Sequence, residues 1–226
     1  CMIERLFKNT LYYIGISLFN QAVVFFLWIM LAWWLAPEEI GAYTLAFFVV
    51  EFFAGLGILG LQPAITRFYH TTKKTHEVFT NALVIFALAN ILTLLAFFLT
   101  LPLLTTALPS VAPLIQNNAL LFALLILTTS FIELVLAHYS ALKRALTYGI
   151  VQGIKIILFV LLALYFAWKG FGAIGIFYGL TIGTTVASII FLIREREFIK
   201  PSTITRTHLS PLLSYGVPLM LYSVFG

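Results

Sequence analysis

Long apolar runs separated by short polar gaps repeat along the whole chain. Residues 11–35, 42–61, 82–101, 119–136, 149–167 and 173–193 form six such runs, and a seventh begins at Leu212. A helix needs roughly 20 mostly apolar residues to cross about 30 Å of hydrocarbon. Each of the six runs is close to that length. Lipid offers no partner to an open backbone group, so a spanning segment is either a helix or a strand of a closed barrel. Barrel strands are shorter and alternate polar with apolar residues, whereas these runs are continuously apolar. The pattern therefore predicts an all-α fold: a polytopic membrane bundle of six transmembrane helices plus the start of a seventh.

The gaps refine this picture. Tyr12 and Tyr13 mark one end of the first run and Trp33 and Trp34 the other, as interfacial aromatic belts do. Residues 36–41 (A-P-E-E-I-G) read as a tight acidic turn between the first two spans. The third span is expected to stop at Pro102. Residues 102–118, with Pro109 and Pro113, read as an irregular loop lying on the membrane surface. The longest polar stretch, 194–211, reads as a linker. The domain reading is a six-helix bundle over 1–193, a cytoplasmic linker over 194–211 and, over 212–226, the truncated start of a seventh helix in a second bundle. Cys1 precedes Met2, so Met2 is expected to be the natural start, with a lipidated N-terminal cysteine as the alternative. The first run is too long for a signal-peptide core.

Charge sets the orientation. Arg5, Lys8, Arg67, Lys73, Lys74, Lys143, Arg144, Arg194, Arg196, Lys200 and Arg206 fall at one set of gaps, and only Lys169 falls at the other. Basic residues mark the cytoplasmic side, which predicts a cytoplasmic N-terminus and a multi-pass protein of the cytoplasmic (inner) membrane. Composition agrees. The chain has 226 residues, 62% of them hydrophobic and only 9% charged, against about 25% charged in an ordinary soluble domain. The net charge of +5 is accounted for by topology, so nucleic acid is not an expected partner. A single cysteine excludes a disulfide framework or a CxxC metal site.

Few residues bring chemistry into the apolar runs. Ionisable groups inside a membrane are costly and face a cavity or a partner. Glu51 lies near the middle of the second span and is expected to face a polar cavity, protonated or binding a cation. Glu133 and Lys155, in the fourth and fifth spans, fall at similar depth toward the basic side. They read either as a salt bridge tying two helices or as a charged site on a transport path. Asn20, Gln21, Asn90 and Gln152 either hydrogen-bond between helices or line a polar interior. Arg67 is a topology anchor or a phosphate ligand. His70, His76, His138 and His208 are read as solvated loop residues. The letters G-L-G-I-L-G over 55–60 match a dinucleotide fingerprint, but that motif needs a strand and a soluble βαβ unit. Here the glycines allow close helix approach or a kink. Gly175, Gly179 and Gly183 form a small-residue stripe for packing on a neighbouring helix. No hydrolase triad, metal-ligand set or phosphate loop is present in the sequence, so enzyme chemistry and cofactors are not expected. Na+ or H+ coupling stays open.

Several short motifs together resemble a known family. L-A-P-E-E-I-G-A-Y over 35–43 is similar to the turn between the first two helices of polysaccharide-biosynthesis (O-antigen-type oligosaccharide) flippases. These form part of the multidrug/oligosaccharidyl-lipid/polysaccharide exporter superfamily. Gly60-Leu61, Ala64, Arg67-Phe68, the glycines Gly172, Gly175 and Gly179, and S-Y-G-V-P-L over 214–219 fit the same pattern. The resemblance covers nearly the whole chain, and family members have about 12 to 14 helices in two pseudo-symmetric halves. It implies transport of an undecaprenyl-pyrophosphate-linked oligosaccharide from the cytoplasmic to the outer leaflet by rocking of two bundles. Membrane lipids, and a polysaccharide polymerase or glycosyltransferases, are the implied partners. On that view Lys155 and Arg67 are candidates for the pyrophosphate or sugar acids, and Glu51 for ion coupling. Two alternatives remain: a cation-coupled exporter of drugs or small amphiphiles, and a non-transporting membrane partner in glycan assembly.

Overall fold

The fold was taken from a computed structural model, which describes residues 2–72, 74–196, 198–199 and 206–225. Lys73 and Lys200 of the charge pattern lie outside the described residues, as do the side chains of Arg5, Lys8, Arg206 and His208. Among the described residues the chain is helical, with no strand. The helices are α1 (Met2–Trp34), α2 (Pro37–Ile58), α3 (Leu61–Thr71), α4 (Thr75–Ala107), α5 (Ala112–Asn117), α6 (Ala119–Ala141), α7 (Ala145–Trp168), α8 (Gly172–Arg194) and α9 (Arg206–Phe225). Six spans are long and apolar enough to cross a membrane, α2 and α3 together forming one of them.

Three readings of the gaps are corrected. The acidic turn is shorter than residues 36–41, because Pro37, Glu38 and Glu39 already form the first turn of α2. Proline is pre-set for the first helical position. The Ala36 N–H donates to the Glu39 carboxylate at 3.1 Å, and acids at a helix start complement its dipole. The third span does not stop at Pro102, since α4 runs through it to Ala107. A membrane helix held by its neighbours tolerates proline, and α5 is tied to this stretch of α4 by Gln116 Nε2, which donates to the Leu101 carbonyl at 2.7 Å. The segment 102–118 is therefore mostly helical, the end of α4 followed by α5.

The small-residue stripe of α8 faces α7. A Cβ added at Gly179 would lie 2.6 Å from the Ala163 backbone nitrogen, and one at Gly183 2.7 Å from the Lys155 carbonyl oxygen. The two backbones therefore approach as closely as glycine allows. The α6 helix is the most enclosed span, packed against α2, α3, α4, α7 and α8. The α1 helix packs chiefly on α7 and leaves most of its surface exposed.

Polar side chains tie the enclosed helices together. Asn90 of α4 is buried. Its Nδ2 donates to the Gly57 carbonyl of α2 at 3.0 Å, and its Oδ1 accepts from the Ser130 hydroxyl of α6 at 2.9 Å. Thr128 of α6 and Thr184 of α8 share a hydrogen bond at 2.9 Å. Interhelical hydrogen bonds in membranes contribute about 0.6–2 kcal/mol each. Asn90→Ala is therefore expected to lower stability by roughly 1–2 kcal/mol, because it also leaves the Gly57 and Ser130 groups without that partner. Thermal unfolding in detergent measures this.

His138 is corrected too. It is not solvated but completely buried. The last turns of α6 project inward, beneath Phe79 of α4, Phe191 of α8 and Phe198. Its Nδ1 shares a 2.7 Å hydrogen bond with the Tyr69 hydroxyl of α3. The next residue, Tyr139, donates to Glu195 Oε1 at 3.1 Å, and Arg144 Nη1 lies 3.5 Å from the same oxygen. The ends of α3, α6 and α8 are thus pinned together on the basic side.

Candidate functional site

The charged residues inside the spans meet where α2, α3, α6 and α7 converge. Lys155 is ten residues into α7, about 15 Å at 1.5 Å per residue. Glu133 is eight residues from the end of α6, about 12 Å from the same side. Lys155 Nζ lies 3.7 Å from Glu133 Oε1. The other carboxylate oxygen, Oε2, accepts from Gln62 Nε2 of α3 at 3.2 Å. The Lys155 side chain retains 15% of its exposure and that of Glu133 38%, so the acid is the more accessible partner.

Glu51 is exposed and has no hydrogen bond or ion pair to any described residue. It lies within electrostatic reach of both Glu133 and Lys155. One ammonium group, paired with Glu133, thus stands in the field of two carboxylates. With all three ionised, the cluster carries one net negative charge, which a proton or a monovalent cation would neutralise.

The Lys155–Glu133 pair stands between two hollows. On the side away from the basic loops, a cavity of about 340 Å³ is walled by Val24 and Trp28 of α1, Tyr43, Thr44 and Phe47 of α2, Leu180 of α8 and Lys155, Ile156 and Phe159 of α7. Among the described residues, Lys155 is its one charged lining residue. Toward the basic side, an open cleft of about 370 Å³ is lined by Gln62, Pro63, Thr66, Glu133, Leu136, Ala137, Ser140 and Tyr148. The first hollow is apolar and aromatic, the second predominantly polar.

The remaining sequence candidates divide. Gln152, one turn before Lys155 on α7, has its Oε1 buried without a hydrogen-bond partner, and the same holds for Asn20 Oδ1 on α1. Gln21 donates to Ser17 Oγ at 3.3 Å within its own helix. Asn20 and Gln21 border a shallow groove with Val24, Phe25 and Trp28, apart from the charged cluster. Asn90 is the interhelical tie described above. Arg67 is also apart: its guanidinium sits over the Tyr215 ring of α9, 4.4 Å from the centroid, an arrangement worth about 0.5–1 kcal/mol at an exposed site.

Gln62, Thr66, Ser140 and Tyr148 were not singled out from the sequence. One signal for them was present. Tyr148, Gln152 and Lys155 stand at i, i+4 and i+7, the spacing that puts residues on one face of a helix. Glu133 and Ser140 share the same seven-residue spacing on α6.

The family described as polysaccharide biosynthesis protein matches residues 6–226. The chain belongs to that family. No curated protein and no solved structure matches it significantly. Family and fold together make this chain a multi-pass membrane protein related to polysaccharide synthesis and export. Both are typical of transporters rather than enzymes. The L-A-P-E-E-I-G-A-Y segment forms the end of the first span and the opening turns of α2, and S-Y-G-V-P-L lies within α9.

Proposed function

We propose that this protein moves a lipid-linked oligosaccharide, of the undecaprenyl-pyrophosphate class, across the cytoplasmic membrane by alternating access. The observation that carries the reading is the Lys155–Glu133 pair, set inside the membrane between a polar cleft on the basic side and an apolar cavity on the other. A charged pair in lipid is expensive unless it lines a path. The glycan and diphosphate would enter from the cytoplasmic cleft while the lipid tail stays in the bilayer. Lys155 would then exchange Glu133 for the diphosphate, with Gln62 keeping hold of the released carboxylate. Glu51 is the coupling acid in this scheme, taking up H+ or Na+ as the charge of the cluster changes. Residues 1–193 act as one bundle and 194–211 as the cytoplasmic connection, whose last residues already form the start of α9 (Arg206–Phe225), the helix that opens a second bundle. A polymerase or glycosyltransferase supplies or consumes the cargo.

The aromatic apolar cavity favours a second reading, a cation-coupled exporter of small amphiphiles. One experiment separates the two. In a strain without a redundant flippase, deletion is expected to leave lipid-linked oligosaccharide in the inner leaflet, shown by its inaccessibility to an added periplasmic glycan-modifying enzyme. Unchanged export, together with new sensitivity to organic cations, would select the amphiphile exporter.

A further inference from the structure

Resting on the lipid-linked reading, we infer that the cleft between α3, α6 and α7 is a glycosyl subsite. It takes a sugar that is rich in hydroxyls and carries no acid group. Four observations support this.

The lining is chemically mixed in the way a sugar requires. It offers an amide (Gln62), three hydroxyls (Thr66, Ser140, Tyr148) and one carboxylate (Glu133). A sugar hydroxyl both donates and accepts, and this set contains both kinds of partner. The Thr66 hydroxyl already donates to the Gln62 carbonyl at 3.1 Å, so its lone pairs face outward as acceptors.

The cleft also carries a sign. Among the described residues, Glu133 is its one charged lining residue. The balancing Lys155 is less exposed than Glu133 and opens onto the other cavity. Inside the cleft, beyond the basic loops, the charge that a ligand meets is this carboxylate. Sugar hydroxyls and amides can donate to it, whereas a uronic acid is repelled. The diphosphate instead needs Lys155, deeper in.

The aromatic wall is fixed. Tyr148 is held edge-on by Tyr13 of α1, with ring centroids 5.2 Å apart. Its ring is thus pre-positioned rather than ordered on binding, which reduces the entropic cost of association. The size fits as well: about 370 Å³ lies at the lower end of the range for ligand sites, roughly 300–1,000 Å³, and suits a single sugar unit rather than a long chain.

The test uses the purified full chain in detergent and three probes: polyprenyl diphosphate alone, and the same lipid bearing N-acetylglucosamine or glucuronic acid. The N-acetylglucosamine lipid is expected to bind about tenfold tighter than the bare lipid, the worth of one or two net hydrogen bonds. The glucuronic acid lipid should bind no tighter than the bare lipid. In Gln62→Ala and, separately, Tyr148→Phe, the ratio between the N-acetylglucosamine and bare lipids should fall below about threefold, while Thr66→Ser keeps it. Equal affinity of the wild type for all three lipids would overturn the subsite and leave the transport reading standing. Preference for the acidic sugar would overturn it too. Absence of binding by every lipid would overturn both.

Discussion

Replacing Lys155 by alanine is expected to reduce transport at least tenfold, about 1.4 kcal/mol or more of lost stabilisation along the path. The substitution removes the only cation of the intramembrane cluster and leaves Glu51 and Glu133 as two carboxylates with no counter-charge. Loss of one partner from a fully buried pair costs about 3–5 kcal/mol. Here the cost to folding is smaller, because the Glu133 side chain retains 38% of its exposure and Gln62 still donates to it. About 1 kcal/mol is expected, near the upper end for an exposed pair. The double variant Lys155→Ala/Glu133→Gln separates the two roles. It removes the Glu133 charge, one of the two orphaned carboxylates, so thermal stability and membrane yield should return toward the wild-type level. Transport, read as accessible lipid-linked oligosaccharide, should stay low, because the ammonium group itself is missing. Recovery of transport in the double variant would show that the pair only ties α6 to α7.

The fold was legible in the sequence because length and apolarity alone dictate it. Six continuous apolar runs have no other stable form in lipid, and the glycines of α8 announced a close helix contact by their spacing of four. Boundaries were less legible where a residue carries two meanings. Pro102 reads as a stop, yet a helix already held by its neighbours carries it, and Gln116 bonds to the backbone beside it. Pro37 reads as a turn residue, and it opens a helix because Glu39 reaches back to cap it.

The site was legible in part. Glu133 and Lys155 could be matched in depth by counting residues from the basic side, which needs only a fixed rise per residue. Their helix faces could not be read, because lipid-exposed and buried surfaces of a membrane helix are equally apolar. The same ambiguity hid His138. Its place near the loop suggested water, whereas the turn it occupies faces Phe79 and Phe191. Gln62 was obscured for a different reason. Its reach to Glu133 depends on the break between α2 and α3, which redirects the chain just before it.

That break supports the second large effect: Gly60→Ala is expected to be among the most damaging single-atom changes in this protein. Leu59 and Gly60 both adopt left-handed backbone, with φ of 52° and 66°. Leu59 already bears that strain, about 1–2 kcal/mol for a residue with a side chain. Alanine at Gly60 adds a second penalty of the same kind, and its Cβ would run into the Gly216 carbonyl of α9. Overpacking of this sort costs about 1–3 kcal/mol, and here the obstacle is backbone, which cannot swing aside. Gly216→Ala should act through the same contact, since its Cβ would lie 2.7 Å from the Leu59 carbonyl oxygen, but without the left-handed penalty. Both variants should loosen α9 from α3, where Phe68 and Arg67 pack on Tyr215. Both should lower the melting temperature, Gly60→Ala further than Gly216→Ala. Gly55→Ala and Gly153→Ala are matched controls, because an added Cβ meets nothing within 4 Å at either position. They should raise stability slightly, by about 0.5–1 kcal/mol, as alanine does in place of a mid-helix glycine. If all four variants melted alike, the α2–α3 break would not depend on the seating of one glycine against the other. The redirection of Gln62 toward Glu133 would then need a different cause.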